Sequence, residues 1–175
     1  MFFLFSALAS VTYVKKEEQE KIDRMIDLFE TKKPGEYDLM WSLREHGYTV
    51  KDVSNNPEYW DKDIDLIATN IFTEVTTTLE VKWDKRIAAT GNLFIELENP
   101  RSKCGNGWYK FCEADLLAYG DAINRIFYFI RMSKLREYIN EHKLDMKYST
   151  TADGSYGYLL PLFHVEHLIE CAVEV

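Results

Sequence analysis

Apolar positions recur along this chain with two different periods, and the switches between them mark out the elements. Ile22, Met25, Ile26 and Phe29 stand at i, i+3, i+4 and i+7, which predicts an amphipathic helix over Lys15–Phe29. Lys32-Lys33-Pro34-Gly35 breaks it. A second helix is predicted over Glu36–His46, with Leu39, Met40 and Leu43 on one face and Gly47 ending it. The pattern then shortens. Tyr48–Val53 reads as a short strand, Asn55-Asn56-Pro57 as a loop, Asp63–Ala68 as a strand and Thr69–Phe72 as a turn. Thr73–Trp83 is a longer strand rich in Thr and Val, and Leu93–Leu97 a third strand. Beyond a polar, glycine-bearing loop over Asn99–Gly107, a helix is expected over Trp108–Tyr119 and an apolar strand over Ile123–Met132. Ser133 is placed as the N-cap of a helix running through His142. Asp145–Tyr156 is expected to be a polar loop, and Gly157–Val175 a last strand and a short terminal helix.

The chemistry concentrates on two adjacent strands. If Asp63–Ala68 and Thr73–Trp83 pair as a hairpin, Asp65 comes beside Glu80 and Lys82. Strand side chains alternate, so Glu80 and Lys82 share a face while Val81 enters the core. On an exposed face this Glu-x-Lys is an ordinary salt bridge, worth about 0.2–1 kcal/mol. With a second acid beside it, the same pair suits metal-assisted hydrolysis. Mg²⁺ takes hard oxygen ligands, few of them protein carboxylates. Asp65 and Glu80 supply two, and the Val81 backbone carbonyl a neutral third. Lys82 is placed to orient or deprotonate a water and to offset charge in the transition state. Asp63 lies two residues from Asp65 and shares its face if the strand begins there. Asp65 is preferred because Leu66-Ile67 runs into the core directly behind it. Glu36 falls on the same helix face as Leu39 and Leu43. It is either an N-terminal acid favoured by the helix dipole or another carboxylate aimed inward.

Composition narrows the class. With 46% hydrophobic and 29% charged residues in 175, the chain is long enough for one core-forming domain and is not of a disordered type. A net charge of −8 argues against a strongly basic, nonspecific nucleic-acid binder. The charge is uneven. Acids dominate Glu58–Glu80, whereas Lys82, Lys85, Arg86, Arg101, Lys103 and Lys110 make Val81–Phe111 locally positive, an arrangement that suits metal and phosphate. Lys85, Arg86, Lys103, Lys110 and the aromatic Trp108 are candidate DNA contacts, although Trp108 serves equally as a core anchor. Glu96 reaches either the metal or a rim partner such as Lys85 or Arg86. The three cysteines carry no CxxC pattern, which fits a reducing, cytoplasmic setting. His164, His167 and Cys171 lack a fourth zinc ligand and read as packing or surface residues. The apolar stretch Met1–Val14 is too short to span a bilayer and offers a surface for a partner or a second copy.

The order helix, strand with Asp65, strand with Glu80-Val81-Lys82, strand, helix, strand resembles the core of the PD-(D/E)XK nuclease superfamily over about residues 36–131. Ile64 stands where the motif's proline is usual. The run from Glu36 through Leu39, Leu43, Gly47, Tyr48 and Val50 is similar to the opening helix of archaeal-type Holliday-junction resolvases. So are Asp65-Leu66-Ile67-Ala68 and Glu80-Val81-Lys82. The resemblance implies an α/β, restriction-endonuclease-like fold with a central mixed sheet flanked by helices in the order αβββαβ. It implies one domain over 1–175, with additions at 1–33 and 133–175. It further implies a Mg²⁺- or Mn²⁺-dependent nuclease hydrolysing DNA phosphodiester bonds, with RNA not excluded. Asp65, Glu80 and Lys82 would be catalytic, Glu36 would join Asp65, Glu80 and Val81 at the metal, and a homodimer would supply paired cuts. The competing expectation is a non-catalytic nuclease-fold protein that binds DNA or serves assembly.

Overall fold

The computed structural model describes residues 34–175 apart from Lys103 and Leu144. The helix expected over Lys15–Phe29 and the apolar stretch Met1–Val14 lie outside the described residues. The chain divides into two compact units, Met1–Tyr37 and Asp38–Val175, and both β-sheets belong to the second.

Helix α1 spans Pro34–Glu45, with Glu36 in its first turn and Arg44 in its last, the charge order that the helix dipole favours. Gly47 follows at φ 82°, a left-handed conformation that suits a residue without Cβ at a helix end. Next come β1 (Tyr48–Asp52) and α2, a single turn over Pro57–Trp60 that begins at the last residue of the expected loop. Asn56 caps that turn by accepting the Glu58 N–H at 3.2 Å. The chain continues through β2 (Leu66–Asn70), β3 (Thr76–Asp84), α3 (Ile87–Thr90) and β4 (Asn92–Glu98). After a 3-10 turn over Trp108–Lys110 come β5 (Leu116–Asp121), β6 (Ile126–Arg131) and α4 (Met132–His142). The last elements are β7 (Lys147–Thr150), β8 (Tyr156–Pro161), α5 (Leu162–Val165), a 3-10 turn over Glu166–Leu168 and β9 (Ile169–Glu174).

The fold is mixed α/β. Its central sheet has the order β1-β2-β3-β5-β6-β9. The β3–β5 pair is parallel and the other pairs are antiparallel, so the sheet is mixed, as expected. A second, antiparallel sheet has the order β4-β8-β7. Alternation along β3 assigns its two faces. Leu79 and Val81 join Leu39, Met40, Leu66, Ala68, Phe127 and Phe129 in one core. Glu80 and Lys82 are in register with Leu117 and Tyr119 of β5. Those two belong to the other core, which also takes Leu93, Ile95 and Leu160 from the second sheet. The acid and the lysine therefore lie on the face that packs toward the second sheet. Each fully buried Leu or Ile there contributes about 1.5–3 kcal/mol.

Five expectations are corrected. The third strand, observed as β4, does not enter the central sheet. It pairs with β8 instead, and the close approach depends on Gly157, where an added Cβ would fall 2.3 Å from the Ile95 carbonyl oxygen. The helix expected over Trp108–Tyr119 is a 3-10 turn followed by β5. Leu116-Leu117-Ala118-Tyr119 is covered on both faces of the sheet, so it shows no alternation to separate it from a helix. Together these two differences replace the expected αβββαβ order with β3 lying directly against β5. Helix α4 starts at Met132, with Arg131 at the cap position and no side-chain cap bond, so Ser133 is not its N-cap. The loop expected over Asp145–Tyr156 contains β7, a strand whose exposed positions hide an alternating pattern. The terminal helix expected in Gly157–Val175 is replaced by α5, a 3-10 turn and the edge strand β9.

Candidate functional site

The site forms where β2 and β3 part company. Strand β2 begins at Leu66, and the chain reaches it through Asp63 at φ 48°, in the left-handed region that Asp tolerates better than most residues. Asp63 and Asp65 therefore do not alternate along one strand, which corrects the shared face expected for them. Asp65 lies just before the strand, and its backbone bonds go to opposite edges. Its N–H donates to the Leu79 carbonyl at 2.9 Å, and its own carbonyl accepts from the Val53 N–H at 2.8 Å. Its side chain then replaces the next backbone partner, with Oδ2 accepting the Val81 N–H at 2.9 Å. The Asp65 carboxylate is thereby held at the edge of β3. A strand residue's N–H and C=O point to the same edge, so the Val81 carbonyl faces that side as well.

Glu80 is 1% exposed. Its Oε1 pairs directly with Lys82 Nζ, while Oε2 is buried with no hydrogen-bond partner among the described residues. Lys82 Nζ also lies 3.8 Å from Asp63 Oδ2 and 5.3 Å from the centre of the Trp108 ring. Burial pushes the Glu80 carboxyl well above the ordinary carboxylate range. Lys82 opposes that rise, and Asp65 and Asp63 add to it. Burial works against the Lys82 charge too, but Glu80, Asp63 and Asp65 outweigh it and hold the ammonium above the usual lysine value. The charged form of Lys82 is thus favoured, which suits it to balance negative charge. Cys112 lies beneath, its thiol 3.6 Å from the Asp63 carbonyl oxygen. Burial pushes that thiol up to about 12, with Glu80 and Asp63 among the groups that add to the rise, so it stays protonated and is no nucleophile.

A buried carboxylate oxygen without a donor costs free energy on the order of 1–3 kcal/mol or more. A hard cation would satisfy it, and an oxygen-only donor set built from Glu80, Asp65 and the Val81 carbonyl has the right chemistry for one. Among the described residues no group of three or more His, Cys, Asp or Glu side chains is gathered to hold a metal ion. That is compatible with the Mg²⁺ habit of one or two carboxylates completed by water and substrate oxygens. The donors present fit such an ion.

The remaining expected residues are distributed as follows. Glu36 is buried in the first turn of α1, within the first unit. Glu96, on β4, accepts from Asn99 Nδ2 at 3.2 Å and shares a cavity wall with Lys82. Arg86 lines the same cavity, and Lys85 is exposed beside it. Trp108 is a buried anchor beneath Lys82. Lys110 ends the 3-10 turn, 4.0 Å from Glu98. Lys103 lies outside the described residues. His164, His167 and Cys171 fall on α5, the following turn and β9. The sequence reading missed Asp84, which accepts the Tyr119 hydroxyl at 2.7 Å while that hydroxyl accepts the Phe94 N–H at 2.9 Å. Period two along β3 carries Glu80 and Lys82 on to Asp84, and that was the available signal.

No protein-family model matches the chain, and no curated protein does. Among solved structures, it is similar to a bacterial homing endonuclease, I-Ssp6803I, at 17% identity and a TM-score of 0.41. The similarity covers 72% of this chain and 70% of that one. No described helix is long and apolar enough to cross a membrane.

Proposed function

We propose that this chain is a divalent-metal-dependent nuclease that hydrolyses DNA phosphodiester bonds at the Asp65–Glu80–Lys82 site. One observation carries the reading. Glu80 is buried beside Lys82 with an oxygen that no hydrogen bond satisfies, and Asp65 is fixed next to it by the Val81 N–H. Folding alone does not favour that arrangement, whereas binding a cation does. Asp65, Glu80 and the Val81 carbonyl would hold Mg²⁺ or Mn²⁺. The ion supplies Lewis acidity toward a phosphoryl oxygen and a more acidic bound water.

The protein's own groups do the rest. Asp65 and Glu80 set where the cation and its waters lie. Lys82, held protonated by three carboxylates, offsets charge that develops on the phosphoryl oxygens. Trp108 sets its ring against the lysine ammonium. Arg86, Lys85 and Lys110 provide phosphate attraction. RNA presents the same phosphate chemistry, so substrate choice rests on groups beyond this site. Paired cuts would call for a second copy.

The test is a panel of linear, single-stranded, branched and RNA substrates with Mg²⁺ or Mn²⁺, using wild type and Lys82→Ala. Metal-dependent cleavage by wild type alone is expected. Intact substrates throughout, together with no divalent binding by calorimetry, would leave the second reading. In that reading the direct Glu80–Lys82 pair serves as a self-neutralised remnant in a non-catalytic DNA-binding or assembly protein.

A further inference from the structure

Behind Lys82, between the central sheet and the second sheet, lies a cavity of about 410 Å³, inside the range of about 300–1,000 Å³ typical of small-ligand pockets. Its aromatic walls are Phe94 and Trp108, joined by Tyr119, while the Trp83 ring turns to the opposite face of the sheet and stacks on Phe127. Tyr119 is immobilised by its bonds to Asp84 and to the Phe94 N–H. The charged groups nearly cancel, with Lys82 and Arg86 facing Asp84 and Glu96. A cavity meant for an anion would be one-sidedly basic, and this one is not. Flat aromatic faces, balanced charge and amide side chains such as Asn92 suit a neutral planar ring with hydrogen-bonding edges. Lys82 belongs to both the cavity and the candidate cleavage site, so a ring seated here would hang from a strand whose phosphate lies at that site.

We infer that the cavity receives a nucleobase unstacked from the bound strand, next to the phosphate to be cut. The inference rests on the nuclease reading for its substrate class, but its test does not need cleavage. Extruding a base costs a few kcal/mol, least in single-stranded or mispaired DNA, and stacking on an aromatic wall returns about 1–3 kcal/mol per base. The pocket therefore favours substrates in which a base is already unpaired.

The test is an abasic scan. Single-stranded oligonucleotides, each with one base removed at a successive position, are titrated against the full chain without divalent metal, using the anisotropy of a dye at the oligonucleotide's end as the reporter. Affinity is expected to drop about tenfold at one position and little elsewhere, since about 1.4 kcal/mol corresponds to tenfold. Ser149→Trp, at the cavity wall on β7, fills the space from an edge strand. It is expected to bind all scan members alike, at the weaker affinity. Thr151→Trp fills the same cavity from the adjoining loop and stands in if the first variant melts early, while Glu141→Trp on exposed α4 controls for an added indole. A flat scan in wild type, or an unchanged one-position drop in both filled variants, overturns the pocket. Loss of cleavage in Lys82→Ala with a flat scan overturns the pocket but keeps the nuclease. A one-position drop without cleavage on any substrate keeps the pocket and removes the nuclease.

Discussion

Asp121 and Glu80 are both buried carboxylates of the central sheet, 2% and 1% exposed, and their surroundings are opposite. Asp121 closes the turn between β5 and β6. Its Oδ1 accepts from the Ile123 and Asn124 N–H groups at 3.0 Å each, and its Oδ2 from Asn124 Nδ2 at 2.8 Å. Glu80 has Lys82 on one oxygen and no hydrogen bond on the other. An acid retained for architecture has its lone pairs satisfied by the fold. One that the fold leaves unsatisfied, next to other carboxylates, is the kind of position the proposed metal site would use. Burial alone does not separate the two; hydrogen-bond accounting does.

The largest effects divide the two acids by activity. Asp65→Asn, Glu80→Gln and Lys82→Ala are each expected to lower metal-dependent cleavage by at least about 10²–10³-fold, the scale of losing one electrostatic group from an active site, while circular dichroism stays native. Asp121→Asn is expected to leave single-turnover cleavage within a few-fold of wild type. Equal losses at both positions would mean that the contrast reports sheet integrity and not chemistry.

Stability is expected to divide them the other way. Asp121→Ala removes the acceptor of three donors, two of them backbone, and should cost about 2–4 kcal/mol by denaturant titration. Glu80→Gln removes a carboxyl whose ionised form the fold does not solvate, leaving Lys82 near Asp63. It should raise the melting temperature, by about 2–4 °C for each kcal/mol gained. A Glu80→Gln protein that melts earlier would show the ion pair to be a net stabiliser and would weaken the case for a site held at a cost.

Much of this contrast was legible in the chain, and its limits are physical. Glu80, Val81 and Lys82 follow directly from period two on a β-branched strand, and α1, β1, β3 and β6 follow from similarly regular patterns. Where both faces of an element are covered, as for Leu116–Tyr119, the alternation that identifies a strand disappears. The edge strand β9 has the reverse difficulty, because Ile169-Glu170-Cys171-Ala172-Val173 is mostly open to solvent and its period is blurred by a register shift opposite Phe129 and Ile130. Asp63 could not be placed by pattern, since a left-handed turn residue belongs to neither period. The partners of Asp121 were hidden for another reason. They depend on the geometry of one turn, which sequence spacing does not state.

The pH dependence of stability sharpens the comparison further. Burial raises the Glu80 carboxyl well above its ordinary value, so the folded chain still holds a proton there over a range in which the unfolded chain, with a pKa of about 4.3, has released it. Stability therefore falls as pH rises through that window, by up to about 1.4 kcal/mol per pH unit for one proton. It is highest below the unfolded value. In Glu80→Gln this slope should vanish from a series of urea melts, whereas Asp121→Asn should keep it. A wild-type protein whose stability is flat across the window would place the unsatisfied oxygen in contact with water.

The smallest effect comes from a third acid, one the fold satisfies at the surface. Glu170 on β9 accepts Arg131 Nε at 2.8 Å and Nη2 at 2.9 Å, with Lys134 Nζ 3.6 Å away. Its carboxyl is lowered by the Arg131 hydrogen bonds, with the charges of Arg131 and Lys134 acting the same way. The sign is the reverse of that at Glu80. The pair's contribution is present above the ordinary carboxylate value and is lost as pH falls through the lowered one. The group is partly exposed, so Glu170→Gln should cost only about 0.2–1 kcal/mol, less at high salt. The pair flanks the register shift where β9 joins β6, and that gives the measurement its use. A salt-independent loss well above 1 kcal/mol would show that the edge strand depends on this ion pair for its docking.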